Sequence, residues 1–83
     1  MGGREGVVMA DAQIQMVSVS SSNLEAAGFD ADNGILVIAF RGGAQYRWDA
    51  IPQPVYDGLM SAESAGRYYY NNIERVYGAG ERM

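Results

Sequence analysis

The sequence predicts an α+β fold, in which a three-stranded antiparallel β-meander is followed by two short helices packed on one face of the sheet. Three observations predict it. Strand-like runs between residues 24 and 50 are separated by an Asn-Gly and a Gly-Gly pair, two prolines follow them, and the next stretch carries apolar residues at helical spacing. A chain of 83 residues has room for one such domain.

The three predicted strands have different patterns. The first, at residues 24–29, has a modest apolar signal and ends at a turn whose Asn-Gly pair tolerates positive φ. The second, at residues 35–40, is apolar on both faces and β-branched, which is typical of a central strand. The third, at residues 44–50, alternates Tyr46 and Trp48 with polar residues, as a half-buried strand does.

Two helices are predicted after the strands. Pro52 ends the sheet, and Pro54 suits the first turn of a short helix with apolar residues at i, i+4 and i+7. Ser61 or Ser64 is expected to cap the second helix, which a glycine at residue 78 ends. The predicted apolar stripe of that helix consists of Gly66, Tyr69, Ile73 and Val76.

Three segments are expected along the chain. Residues 1–14 are glycine-rich and predict a flexible arm, residues 15–78 form the domain, and residues 79–83 form a tail. The N-terminus carries neither an apolar signal core nor a myristoylation motif, and no apolar run approaches ~18 residues. These features predict a cytoplasmic protein that does not bind membranes.

The inventory of charged and reactive residues disfavours most enzyme mechanisms. The chain has no cysteine and no histidine, all six basic residues are arginines, and the net charge is -4. It therefore lacks the commonest general base and the thiolate and imidazole metal ligands, and its acids show no catalytic pairing. We predict no enzymatic activity, no metal and no cofactor. The acidic balance also disfavours binding to long nucleic acids, which normally requires a basic face.

The order of several short motifs resembles the KTSC domain, a small domain found at the C-terminus of some lysyl-tRNA synthetases and as stand-alone bacterial and phage proteins. The resemblance runs from about residue 17 to residue 77. The motifs include Val19-Ser20-Ser21-Ser22-Asn23-Leu24, Gly43-x-x-Tyr46-Arg47-Trp48 and Ala62-x-Ser64-x-Gly66-Arg67-Tyr68-Tyr69. The resemblance implies a role in binding nucleic acids or nucleotides. Ala65, Tyr70 and Glu74 depart from the lysine, asparagine and basic residue usual in the family, which weakens an RNA-binding interpretation.

The candidate binding residues are aromatic, basic or small and polar. Arginine forks bind phosphate bidentately and exposed tyrosines stack on bases, so these residue types favour nucleotide recognition. On an ideal helix Arg67, Asn71 and Arg75 share one stripe. The predicted ligand-binding residues are Ser21, Ser22, Asn23, Arg47, Trp48, Arg67, Tyr68, Tyr70, Asn71 and Arg75.

Each of these groups has a structural alternative. The serine loop can bond its own backbone, and Trp48 can pack under the helices with Tyr46. The arginine stripe can be a solvated surface or a face between subunits.

Three functions are compatible with this pattern. The first is a non-enzymatic binder of a small phosphate-bearing nucleotide, such as a phage-type protein that sequesters a cyclic oligonucleotide signal. The second is an RNA-binding accessory module, and the third is a structural or protein-interaction module. We expect a homo-oligomer, because one subunit of this size has little room for a ligand cavity of ~300 Å³.

Overall fold

The computed structural model of the chain describes residues 14–83. The predicted N-terminal arm lies outside the described residues except for its last member, Ile14, which is buried. Within the described range, no helix is long and apolar enough to cross a membrane.

Within residues 14–83 the fold is α+β, as predicted, with an antiparallel sheet of five strands rather than three. Strands follow one another across the sheet in chain order, and every neighbouring pair is antiparallel. They are β1 (Val17–Ser18), β2 (Leu24–Asp30), β3 (Ile35–Phe40), β4 (Gln45–Trp48) and β5 (Glu81–Arg82). The meander predicted from sequence is β2-β3-β4, and one two-residue strand is added at each edge.

The last strand is formed by residues that the sequence assigns to a tail. Gly78 and Gly80 have φ values of 94° and 79°, a region that glycine enters without steric cost, and they turn the chain back towards β4. Tyr46 and Arg47 pair with β5, and the backbone N–H of Met83 donates to the Gln45 carbonyl at 2.9 Å. The C-terminal residues therefore complete one edge of the sheet.

The turn between β2 and β3 is organised by Asp30. Its carboxylate accepts hydrogen bonds from the backbone N–H groups of Asp32 and Asn33 and from the Asn33 side-chain amide, at 2.8–3.3 Å. Gly34 has a φ of +67°, so glycine supplies the left-handed residue of this loop. Asp30 and Ile35 pair directly, which leaves four loop residues between the strands.

The helices follow the two prolines as predicted. α1 spans Gln53–Ser61 with Pro54 in its first turn, and α2 spans Ala65–Tyr69. Ser64 caps α2, because its hydroxyl oxygen accepts a hydrogen bond from the Arg67 N–H. A π-helical turn, Tyr70–Glu74, continues α2 and leads into α3, Arg75–Tyr77.

The main core lies between one face of the sheet and the helices. Leu36, Ile38 and Trp48 project from the sheet, and Leu59, Tyr69 and Ile73 project from the helices. A smaller buried cluster of Ile14, Ile35 and Val37 covers part of the opposite sheet face.

One predicted core residue is exposed. Val76 is 63% accessible, whereas Tyr69 and Ile73 of the same predicted stripe are buried. The π-helical turn at Tyr70–Glu74 widens the helix just before Val76, and this rotates Val76 away from the sheet. The apolar stripe is therefore shorter than the sequence predicts.

Candidate functional site

The outer surface of α2 carries an open cleft of about 300 Å³. We call it the arginine cleft. Three of its residues, Arg67, Tyr68 and Asn71, were predicted from sequence as ligand-binding residues. The full lining consists of Glu63, Ser64, Arg67, Tyr68, Asn71 and Asn72.

Local structure explains why these side chains converge. The Ser64 cap fixes the start of α2, and Arg67 and Asn71 lie four residues apart on one helix face. Tyr68 packs against α1 at Gly58, where any Cβ would collide with the tyrosine ring. The Asn72 amide donates to the Tyr68 carbonyl at 3.3 Å, so it is held beside the cleft.

The arginine cleft combines one positive and one negative side chain. Arg67 and Glu63 are both exposed, and among residues 14–83 the Arg67 guanidinium forms no ion pair. Its five N–H donors are therefore available for a planar acceptor such as a phosphate or carboxylate. Glu63 opposes anions and limits the charge that the cleft can attract.

The serine loop lies against α2 but is largely occupied by its own bonds. The Ser21 hydroxyl accepts from the backbone N–H groups of Asn23 and Leu24 and donates to the Asn23 side chain. A Cβ at Gly66 would lie 2.5 Å from Asn23 Oδ1, so glycine permits this close approach. Ser22 is exposed, and none of the three predicted loop residues lines the arginine cleft.

Arg41 supports this loop and was missed in the sequence analysis. Its Nε donates to the Ser21 carbonyl at 3.0 Å, and its backbone N–H donates to the Asn23 carbonyl at 2.9 Å. The sequence around Arg41 does not indicate either hydrogen bond. Both form only because the folded sheet brings the end of β3 next to the serine loop.

Tyr70 and Arg75 form a second group, separate from the arginine cleft. The Arg75 guanidinium carbon lies 6.0 Å from the centroid of the exposed Tyr70 ring, at the limit of a cation–π contact. The Arg75 N–H donates to the Tyr70 carbonyl, the i→i+5 bond of the π-helical turn. This turn removes Arg75 from the stripe predicted with Arg67 and Asn71.

The prediction that Trp48 contacts a ligand is corrected by its burial. Trp48 is 4% accessible, its indole Nε1 donates to the Gly78 carbonyl at 2.9 Å, and its ring lies edge-to-face with Tyr69. A ring enclosed in this way cannot stack on a base. It belongs to the core, which was the structural alternative.

Arg47 lies on the sheet face opposite the helices. It pairs with Val37 of the second apolar cluster and forms a 2.9 Å ion pair with Asp49. The thickness of the sheet separates it from the arginine cleft, so the two arginines do not meet within one chain.

A second cleft, of about 440 Å³, lies between β3, β4 and the π-helical turn. We call it the aromatic cleft. Phe40 packs edge-to-face on both Tyr46 and Tyr69, with ring centroids 5.8 and 5.3 Å apart. The lining consists of Asn23, Phe40, Tyr46, Tyr69, Glu74 and two alanines. Sequence analysis missed this cleft, because its residues come from four separate segments.

Tyr69 and Glu74 interact at the inner wall of the aromatic cleft. Burial, then the charge and hydrogen bond of the Glu74 carboxylate, and then the nearby Tyr46, raise the pKa of Tyr69 to about 12. The neutral phenol is thus stabilised in the folded protein, with the Glu74 carboxylate beside it. A carboxylate has several lone pairs, so Glu74 can accept further hydrogen bonds.

We expect alkaline pH to destabilise the fold through Tyr69. The pKa of Tyr69 in the folded protein, about 12, lies above the ordinary value of 10.0. The contribution of its neutral phenol to the free energy of unfolding is therefore complete below pH 10 and is lost as pH rises through 12. Urea unfolding at pH 8, 10 and 11 should show falling stability. Tyr69→Phe should reduce the fall in stability between pH 10 and 11. A smaller fall should remain, because burial also raises the pKa of Tyr56. An identical slope in the variant would contradict the assignment.

Comparison with known proteins identifies the family. The KTSC domain model matches residues 20–77, so the chain belongs to the KTSC domain family, as the sequence resemblance indicated.

Two bacterial relatives and a crystal structure support this assignment. A protein from Tsukamurella paurometabola is 47% identical over 53 residues, which cover 64% of this chain and 79% of the relative. An uncharacterized protein from Stutzerimonas stutzeri is 38% identical over 56 residues, covering 68% and 79% of the two chains. The crystal structure of a KTSC domain protein from Yersinia pestis matches with a TM-score of 0.77 and 32% identity, over 84% of this chain and 97% of that one.

Proposed function

We propose that this protein is a non-enzymatic binder of a small phosphate-bearing nucleotide and that the arginine cleft is its binding site. The observation that carries the proposal is the convergence of Arg67, Tyr68 and Asn71 on one cleft of about 300 Å³. Cavities of this size suit small ligands. The chain has no histidine, cysteine or lysine to supply a base or nucleophile, which favours binding over catalysis.

Each lining residue has a chemical role in this proposal. The Arg67 guanidinium holds a phosphate bidentately, and charge-assisted bonds of this kind are about twice as strong as neutral ones. The partly exposed Tyr68 ring stacks on the base, while the Asn71 and Asn72 amides bond the sugar or the base edge.

Charge favours a small ligand over a polymer. The chain has a net charge of -4, and Glu63 lies in the cleft itself, and both features disfavour binding of a long phosphate backbone. A single guanidinium suits one phosphate. We propose that the protein acts by sequestering its ligand. The ligand class we favour is a cyclic oligonucleotide signal, whose further phosphates would meet Arg67 of other copies in an oligomer.

Oligomerisation would extend this site. Ser21, Ser22, Asn23 and Arg47 do not line the arginine cleft, and in an oligomer a second copy of the chain would bring such residues to its ligand. The exposed Tyr70, Val76 and Tyr77 provide apolar surface for a homo-oligomer or for another protein partner. A protein-interaction module is therefore the second candidate function, and an RNA-binding accessory module is the third.

Thermal shifts against mononucleotides, linear dinucleotides and cyclic oligonucleotides, each at low and high salt, test the proposal. A ligand at 100 times its Kd adds ~2.7 kcal/mol, which raises the midpoint of a domain this small by roughly 10 °C. We expect such a shift with one small nucleotide and only a modest salt effect. RNA binding would instead weaken steeply with salt. The absence of any shift across the panel would overturn the proposal for these ligands.

A further inference from the structure

The aromatic cleft contains a different set of chemical groups from the arginine cleft. Its walls are the rings of Phe40, Tyr46 and Tyr69, and its polar groups are the Glu74 carboxylate and the Asn23 amide. Among residues 14–83, no basic side chain lines this cleft. A phosphate is therefore a poor occupant, and a flat ligand that presents N–H donors to a carboxylate is a good one.

The rings are held in place before any ligand arrives. Phe40 contacts Tyr46 and Tyr69 at 5.8 and 5.3 Å between ring centroids, with interplanar angles of 85° and 75°. These are favourable edge-to-face geometries. Phe40 and Tyr46 are half-buried, so part of their ring surface remains available for stacking.

The π-helical turn places Glu74 at this cleft. Turns of this kind are rare and occur frequently at functional sites, because the extra residue redirects the side chains that follow it. Here the turn spans Tyr70–Glu74, and its last residue lines the cleft beside Tyr69. The Glu74 carboxylate offers several acceptor sites to a ligand.

We propose that the aromatic cleft binds a guanine base, which stacks on the Tyr46 ring, meets Phe40 edge-to-face and presents its N1–H and N2–H groups to Glu74. Guanine is the base whose pairing edge carries two adjacent N–H donors beside a carbonyl acceptor. Asn23 can donate its amide N–H to that carbonyl. Adenine would turn the N1 lone pair towards the carboxylate, and uracil offers a single N–H donor.

This site stands independently of the proposed function. Guanosine, which carries no phosphate, tests it without engaging the anion-binding chemistry of Arg67. Failure of guanosine to bind would leave the arginine cleft untouched, and failure of phosphate-bearing ligands at Arg67 would leave the aromatic cleft untouched.

Titrations of the full chain with guanosine, inosine and adenosine, followed by ligand-observed NMR, test the proposal. We expect saturable guanosine binding, severalfold weaker binding of inosine, which lacks the N2 amino group, and at least tenfold weaker binding of adenosine. Glu74→Gln should weaken guanosine binding at least tenfold. Glu25→Gln, which removes an exposed carboxylate that lines neither cleft, should leave guanosine binding unchanged.

Tyr46→Leu removes a stacking surface and keeps the Glu74 carboxylate. It is the second test of the site, and it is used if Glu74→Gln fails to fold. It should weaken all three nucleosides together. Three results would each overturn the proposal: no saturable guanosine binding to the folded wild type, equal affinity for guanosine and adenosine, or guanosine binding that Arg67→Gln abolishes while Glu74→Gln leaves it intact.

Discussion

Replacing Trp48 by alanine is expected to lower the free energy of unfolding by about 3–5 kcal/mol. The side chain is 4% accessible and lies within the core between the sheet and the helices. Truncation would leave a cavity and remove the hydrogen bond from its Nε1 to the Gly78 carbonyl. A loss of this size is a large part of the stability of a small domain.

Thermal or urea denaturation monitored by circular dichroism measures this effect. The midpoint should fall by more than about 10 °C, if the variant folds at all. Trp48→Phe keeps most of the apolar volume and should cost less than half as much. Tyr70→Ala, at an aromatic that is 54% exposed, should change stability by no more than about 0.5 kcal/mol. A loss below 1 kcal/mol for Trp48→Ala would contradict the placement of this residue in the core.

The second large effect concerns ligand binding at Arg67. Arg67→Gln should weaken the nucleotide ligand identified by thermal shift by about 10–100-fold, because a charge-assisted hydrogen bond contributes ~1.5–3 kcal/mol. Stability should be nearly unchanged, since the side chain is exposed and makes no ion pair within the described residues. Isothermal titration calorimetry measures the change directly.

Two variants control for overall charge. Arg75→Gln removes the same charge from an exposed arginine that lies over Tyr70, outside the arginine cleft, and should change affinity less than about twofold. Glu63→Gln removes the carboxylate that opposes anions in the cleft and should strengthen binding. Equal losses for Arg67→Gln and Arg75→Gln would indicate a diffuse electrostatic surface and would favour the RNA-binding alternative.

The parts of the fold that depend on local chemistry could be predicted from the sequence. The apolar run of β3, the two prolines and the Ser64 cap act through neighbouring residues, and each lies where it was expected. These features depend on spacing and residue type alone.

The π-helical turn could not be predicted in this way. A period of 3.6 residues assumes a uniform helix, and one extra residue in the turn changes the direction of every later side chain. Val76 is exposed for this reason, and Arg75 is separated from Arg67 and Asn71. Of the residues predicted on this helix, Arg67, Tyr68 and Asn71 therefore share one cleft, whereas Arg75, which follows the turn, lies outside it.

Long-range contacts account for the remaining differences. β5 has two exposed polar residues with no apolar pattern, and it forms because the glycines before it return the chain to β4. The aromatic cleft likewise depends on residues from Asn23 to Glu74 that only the folded topology brings together. Local sequence patterns cannot predict which residues from distant segments lie together in the fold.

An NMR titration of the labelled wild-type protein with the nucleotide identified by thermal shift tests the central claim most directly. Backbone and side-chain amide shifts should change in a saturable manner at Arg67, Tyr68, Asn71 and Asn72, which line the arginine cleft. Residues of the second apolar cluster, such as Val37, should be unaffected. Saturable changes confined to another surface, or none with any phosphate-bearing nucleotide, would contradict the assignment of the arginine cleft as the binding site.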